Sequence, residues 1–136
     1  MITIKIKVDK TSLIGRLELF KIYLKTGLYP AWQRIANVLD GRIKAMVPVR
    51  SGRLLSSVKT TAYSMRVSSV ANAVDPRSGY IYARINHDGG YASGWAGPHN
   101  ISGVRYMTVP LHATAGYAVE TLSDEIDRII SICGLG

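Results

Sequence analysis

Cysteine, phenylalanine and acidic side chains are all scarce in this 136-residue chain: one Cys, one Phe and nine Asp or Glu. A lone cysteine, Cys133, excludes an internal disulfide and a thiolate metal cluster. No apolar run approaches the ~20 residues of a membrane-spanning helix. The opening segment, Met1-Ile2-Thr3-Ile4-Lys5-Ile6-Lys7-Val8, alternates instead of forming the apolar block of a secretion signal. Synthesis in the cytosol is therefore expected, and Asn100-Ile101-Ser102 reads as a chance match to a glycosylation sequon. A phosphate-binding loop is missing too, because Gly94 and Gly97 are not followed by Lys-Ser/Thr.

What is abundant is positive charge, and it is unevenly placed. The net charge is +8. Residues 1–66 carry 13 Lys or Arg against Asp9, Glu18 and Asp40, a balance of +10, while residues 67–136 come to −2. Such a dipole suits a nucleic-acid surface or head-to-tail contact between identical subunits. It is also what a solvated, solubilising face looks like.

The length fits one domain with a buried core. Residues 2–8 read as a strand, with Ile2, Ile4, Ile6 and Val8 on one side. Asp9 or Thr11 can cap a helix to about Lys25 with Leu13, Leu17 and Phe20 inward, and Gly27 fits its stop. Pro30 fits the first turn of a second helix to about Met46, or a kink in one long helix. Its apolar set is Trp32, Ile35, Ala36, Leu39, Ile43 and Met46, spaced by three and four. Pro48 and Gly52 then form a corner, and Leu54, Leu55 and Val58 make a short helical turn. Residues 58–72 are rich in Val, Thr, Tyr and Ser, as a hairpin would be, and 80–87 reads as another strand. Segment 88–103 holds five glycines and Pro98, which predicts an irregular, flexible surface loop. Residues 104–109 read as a last short strand. Pro110 opens a final helix with Thr108 as its cap, Val119, Leu122, Ile126, Ile129 and Ile130 inward, and Gly134 as its end. Burying those five side chains contributes roughly 8–15 kcal/mol before chain entropy is subtracted. The order β, α, α, strands, α predicts an α+β domain, with an antiparallel sheet covered on one face by one or two N-terminal helices and a C-terminal helix.

Three constellations carry chemistry worth weighing. His87, Asp88, His99 and His112 offer imidazole and carboxylate ligands for a metal-dependent hydrolase, but at spacings that match no ligand pattern. Ser56 and Ser57 have no neighbouring base, and Cys133 lies among apolar residues, which disfavours nucleophilic catalysis. Arg34, Arg42, Lys44, Arg50, Arg53, Lys59 and Arg66 surround the corner and need little else for nonspecific phosphate contact, although no base-reading motif accompanies them. Tyr91 and Trp95 are large apolar groups among the glycines of 88–103. They either fold back on the domain or order against a partner.

Two segments then stand out together. "VPVRSGRLLSSV", residues 47–58, resembles the small-apolar-Pro-x-x-(Thr/Ser)-Gly-x-Leu-x-x-Ser-(Ile/Val) motif of head–tail connector proteins of tailed double-stranded-DNA phages, the tail-completion, neck or minor capsid proteins. "YARINHDGG", residues 82–90, is similar to that family's Tyr-Ala-x-x-x-(Glu/His)-x-Gly motif, and "VPLHATA" to the stretch before its C-terminal helix. The match spans roughly residues 30–130. It departs from the family at Arg50, where an acidic residue is common, and in residues 10–28.

The resemblance implies a single tail-completion-like domain over 1–136. It implies a non-enzymatic subunit of a ring in the virion neck, a hexamer or alternatively a dodecamer, without cofactor, metal or membrane partner. Its partners would be the portal or connector complex and the tail tube or terminator, with nonspecific contact to passing DNA. On this reading Pro48, Ser51, Gly52, Leu54 and Val58 are the architectural corner: Pro48 stops the helix, Ser51 caps the next turn and Gly52 reverses the chain. Arg50, Arg53, His87, Asp88, Gly89, Tyr91 and Trp95 would make subunit or partner contacts. Arg34, Arg42, Lys44 and Lys59 would face a DNA channel. The alternative is a nucleic-acid-binding module that uses the basic N-terminal half alone.

Overall fold

A computed structural model describes residue 3 and residues 10–48, 52–74, 83–94, 97–101 and 103–135, with backbone alone at 84, 85, 90–94 and 97–101. Apart from Thr3, the strand expected over 2–8 lies outside the described residues, as do Arg50, Ser51 and Trp95.

The fold is α+β: a bent N-terminal two-helix element, a small antiparallel sheet and a long C-terminal helix. Helix α1 (Lys10–Gly27) and helix α2 (Tyr29–Met46) are separated by one residue, Leu28. Pro30 accounts for the break. It has no N–H to give to the Thr26 carbonyl, and its ring crowds that carbonyl. Pro30 then occupies the first turn of α2, where a missing donor costs nothing. The helix resumes as the Trp32 amide donates to the Leu28 carbonyl at 3.0 Å.

Helix α2 buries the face its sequence period marks, through Ala31, Ile35, Ala36, Leu39 and Ile43. It ends at Met46 because Pro48 follows. The residue before a proline is pushed out of the helical region, and Val47 has φ −63° and ψ 127°. Gly52, at φ 74°, takes the left-handed conformation and is the N-cap position of helix α3 (Arg53–Ser57). The cap expected of Ser51 therefore falls one residue later in the structure, on a residue with no side chain.

Strands β1 (Lys59–Ala62) and β2 (Val67–Val70) pair antiparallel, Lys59 opposite Val70 and Ala62 opposite Val67. This is the hairpin expected over 58–72. Its loop closes when the Tyr63 amide donates to the Arg66 carbonyl at 2.8 Å, with the Arg66 guanidinium 4.5 Å above the Tyr63 ring.

Three expectations are corrected. Residues 83–88 are not strand but a short helix, α4 (Ala83–Asp88). The amides of Val104 and Arg105 donate to the carbonyls of Asn86 and His87 at 3.1 and 2.9 Å, so the free carbonyls of that helix end are paired by a distant segment. Gly89, at φ 81°, then provides the left-handed stop. Segment 88–103 is not irregular: β3 (Gly90–Gly94) and β4 (Gly97–Ile101) form a second antiparallel ribbon, Gly94 opposite Gly97. Pro98 is compatible with it, because a ribbon of two strands has outward-facing positions where no donor is needed. Residues 103–107 form no strand. They turn into helix α5 (Thr108–Ile132), with Arg105 at φ 51°.

Helix α2 is the central element, meeting the β1–β2 ribbon and α5, while α1 packs on α5 and on α2. One apolar cluster gathers Leu39, Ile43, Val47, Leu54, Val58, Ala73, Ala83 and Tyr106 beneath the corner. A second joins Leu28, Ile129 and Cys133 with partly buried Phe20, Leu24, Trp32, Leu122 and Ile126. Of the final helix's expected inward set, Ile129 is buried, Leu122, Ile126 and Ile130 are half-buried, and Val119 is 67% exposed. Leu13 and Leu17, expected inward on α1, are about half exposed, at 46% and 48%. Gly134, at φ 67°, ends α5, with the Leu135 amide donating to the Ile130 carbonyl at 3.1 Å.

Candidate functional site

The elbow between α2 and β1 is built from the residues the motif marks. Leu54 and Val58 are each 4% exposed and lie in the first apolar cluster. Ser56 Oγ donates to the Arg53 carbonyl at 3.0 Å and Ser57 Oγ to the Leu54 carbonyl at 2.8 Å, so neither serine hydroxyl is positioned as a nucleophile. Above them Asp40 links the helix to the sheet. Its Oδ1 accepts from Thr60 Oγ1 at 2.9 Å, its Oδ2 pairs with Lys44 Nζ at 2.7 Å, and Thr60 lies 3.0 Å from Ser69 across the strands.

The second motif forms a clasp. Tyr106, 1% exposed, donates its hydroxyl to the Ala83 carbonyl at 2.7 Å. Burial holds its phenol pKa above the ordinary value, and the charge of Asp88 adds to this. His87 meets the Tyr106 ring edge-on at 5.3 Å. Its Nε2 lies 2.8 Å from Thr108 Oγ1 and 3.3 Å from the Thr108 amide, and its Nδ1 lies 2.6 Å from Asp88 Oδ1. An amide only donates, so Nε2 is the acceptor and Nδ1–H donates to Asp88. His87 thus holds the first turn of α5, whose N-cap residue, Met107, has no side-chain cap of its own. Gly103 closes the clasp. A Cβ there would lie 2.5 Å from the Asp88 carbonyl carbon and 2.6 Å from the Gly89 nitrogen. The β3–β4 ribbon leaves from this base and pairs chiefly with itself.

The basic residues expected to face a channel are placed as follows. Arg42 reaches across to α5, where its Nη1 donates to the Ala113 carbonyl at 2.7 Å and to Thr114 Oγ1 at 3.1 Å. Arg34 pairs with Glu125 at 3.7 Å, and Lys44 with Asp40. Glu125 also accepts from Arg128 Nε at 3.0 Å. That hydrogen bond holds the Glu125 carboxyl below the usual range, and the charges of Arg128 and Arg34 reinforce it against the opposing effect of burial. Arg53 and Lys59 are exposed and have no ion partner among the described residues.

His87 and Asp88, consecutive in the chain, end α4, and Gly89 is its left-handed stop. His112 stands exposed on α5, the side chain of His99 lies outside the described residues, and no group of three metal-ligating side chains occurs among the described residues. Tyr91 is placed by its backbone in β3, opposite Asn100. Sequence reasoning missed Asp40, Thr60 and Gly103 as members of these joints, and it expected Thr108 to cap α5, whereas Met107 holds the N-cap position and Thr108, the first residue of the helix, bonds His87. Only Gly103 carried a signal, as a glycine next to a strand-like segment. Tyr106 reads as a sheet residue in the sequence, whereas it pins a helix. No family model, curated protein or solved structure matches this chain.

Proposed function

We propose that this protein is a structural subunit of a tailed bacteriophage, forming a ring at the head–tail junction as a neck, tail-completion or terminator protein. One observation carries the proposal. The two sequence segments that resemble the connector family occupy the two joints of the fold: the Pro48–Gly52–Leu54 elbow and the His87–Gly89 clasp. Both direct the chain: Ser56 and Ser57 hydroxyls bond backbone carbonyls at the elbow, and His87 bonds Thr108 and Asp88 at the clasp. A building block needs such joints. The self-paired β3–β4 ribbon supports the same reading, since a lone two-stranded ribbon is marginal in water and gains from a partner surface. The ring would be a hexamer or a dodecamer, meeting the portal or connector on one side and the tail tube on the other, in the virion assembled in the host cytoplasm. Deleting the gene from the parent phage tests this. Unjoined filled heads and complete tails, seen by electron microscopy and rescued by the protein in trans, are expected, and normal virions would refute the proposal.

A second reading, nonspecific duplex binding, is favoured by Arg53 and Lys59, which are exposed and have no ion partner among the described residues. It predicts a mobility shift of free duplex DNA at physiological salt that weakens in Arg53→Ala and Lys59→Ala. A channel lining requires no such shift.

A further inference from the structure

Among the described residues, strand β1 has β2 as its one hydrogen-bonded neighbour, which leaves its other edge open. Bonded and non-bonded positions alternate along an antiparallel pair. The Tyr63 amide donates to the Arg66 carbonyl, so Thr61 also turns its backbone groups toward β2, while Thr60 and Ala62 turn theirs outward. Each of these two presents one N–H and one C=O. None of those groups is hydrogen-bonded among the described residues. An edge of this kind is a template for a further strand.

The edge opens on a groove of ≈ 390 Å³ between β1 and α2, lined by Tyr29, Gln33 and Asn37 on the helix and by residues 60–62 on the strand. All three helix residues are exposed, and neither amide side chain has a hydrogen-bond partner among the described residues. From Tyr29 to Asn37 the helix rises about 12 Å. That is the length of about four strand residues.

The matching strand is present in the sequence. Ile2, Ile4, Ile6 and Val8 alternate with Thr3, Lys5 and Lys7, the pattern of a strand with one covered and one wet face. Beside β1 the covered face is the one toward α2, where Thr60 reaches Asp40, while Lys59 and Thr61 are exposed. Thr3 is exposed and lies in no helix or strand. This segment cannot reach the groove of its own molecule. Phe20 and Leu24 pack beside Ile129 and Cys133, and Arg16 Nη1 donates to the Gly134 carbonyl at 3.0 Å, so α1 passes the end of α5 and continues beyond it to Lys10. The 18 residues of α1 are about 27 Å long. Residues 2–9 fully extended span about the same distance. Doubled back along the whole of α1, they would bring only their tip level with Tyr29, the near end of the groove.

We infer that residues 2–8 of one copy add as a strand to the open edge of β1 in the next copy, with the isoleucines over α2 and the lysines in solvent. Thr60 and Ala62 supply the backbone bonds, and the helix side of the groove seats the alternate side chains. The occupant is a second copy because the arm leaves from the far end of α1 and its alternation continues the one-sided burial of β1. Arm and groove are different surfaces, so the contact is head-to-tail. It goes beyond the neck reading and stands without it.

The test is sedimentation of the full chain over a range of concentrations, with hydrogen exchange read at single amides. Wild-type mass rises above the 14.9 kDa monomer, and exchange slows at the Thr60 and Ala62 amides as it does. Ile4→Pro removes a ladder donor from the arm, and Asn37→Trp fills the groove from an exposed helix position. Each weakens association by about tenfold or more. At low concentration both variants should melt like the wild-type monomer. Their equimolar mixture forms a dimer and stops there, because the intact arm of one fits the intact groove of the other and no second pairing remains. A wild type that stays monomeric at every concentration overturns the contact. So does a variant that associates like wild type, an associated wild type whose Thr60 and Ala62 amides stay unprotected, or a mixture that remains monomeric. None of those results bears on the gene-deletion phenotype, which tests the neck reading separately.

Discussion

The Tyr106 hydroxyl donates to the Ala83 carbonyl at 2.7 Å, and this bond joins two segments 23 residues apart in the chain. It sets the short helix α4 against the turn that launches α5, with the tyrosine ring in the same apolar cluster as Leu39, Ile43 and Leu54. The elbow and the clasp therefore share one core, and a change at either joint is felt at the other.

Tyr106→Phe keeps the ring but leaves the Ala83 carbonyl unpaired, at an expected cost of about 1–3 kcal/mol in urea or thermal unfolding. The phenol pKa is raised in the folded protein. The stability tied to the neutral phenol is therefore complete below about pH 10 and is lost as pH rises through the higher folded value. Wild type should lose stability on that alkaline limb and Tyr106→Phe should lose less, as melting temperatures across alkaline pH would show.

Two glycines separate conformational strain from collision. Gly52 has φ 74°, and a Cβ added there would meet open space, so Gly52→Ala costs strain alone, about 1–2 kcal/mol, and Gly52→Asn less. At Gly103 the added carbon meets the Asp88 and Gly89 backbone, which cannot swing away as a side chain would. Gly103→Ala should therefore cost more than Gly52→Ala. It should also speed hydrogen exchange at the Val104 and Arg105 amides, which bond α4.

Arg42 serves the fold in this structure. Arg42→Ala removes the donor to the Ala113 carbonyl and to Thr114 Oγ1, and about 1–2 kcal/mol of stability is expected to go with it. Lys59→Ala, on an exposed strand position, should leave stability within about 0.5 kcal/mol of wild type. Equilibrium unfolding measures both.

Glu125 ties Arg34 on α2 to Arg128 on its own helix. Its folded-state pKa is lowered, so the stability it confers is present above the ordinary carboxylate value, about 4.3, and fades as pH falls through the lower folded value. Glu125→Gln should be less stable than wild type at neutral pH and show a shallower loss in acid. Melting temperature against pH reads both effects.

Local chemistry was legible in the sequence. The three-and-four spacing from Ile35 to Ile43 marks the buried face of α2, because that period belongs to the helix itself. Pro30, Pro48 and Gly52 act through their own covalent geometry and place breaks where the structure has them. The Val- and Thr-rich run over 58–72 marks its hairpin for the same reason. Where the outcome depended on distant backbone, the sequence had no voice. Residues 83–88 alternate like a strand, yet form a helix whose last carbonyls are paired by Val104 and Arg105. The glycines of 88–103 signal an irregular loop, but Gly103 is required by the backbone it rests on and the residues between pair into a ribbon. Arg42 and Val119 show the same division. Helical period alone could not say that the first would bond to α5 and the second stay in solvent. Where α2 starts, stops and turns its apolar side was determined by the sequence itself, because those preferences act over a few bonds. Only tertiary packing decided which polar groups find partners, because those partners lie tens of residues away.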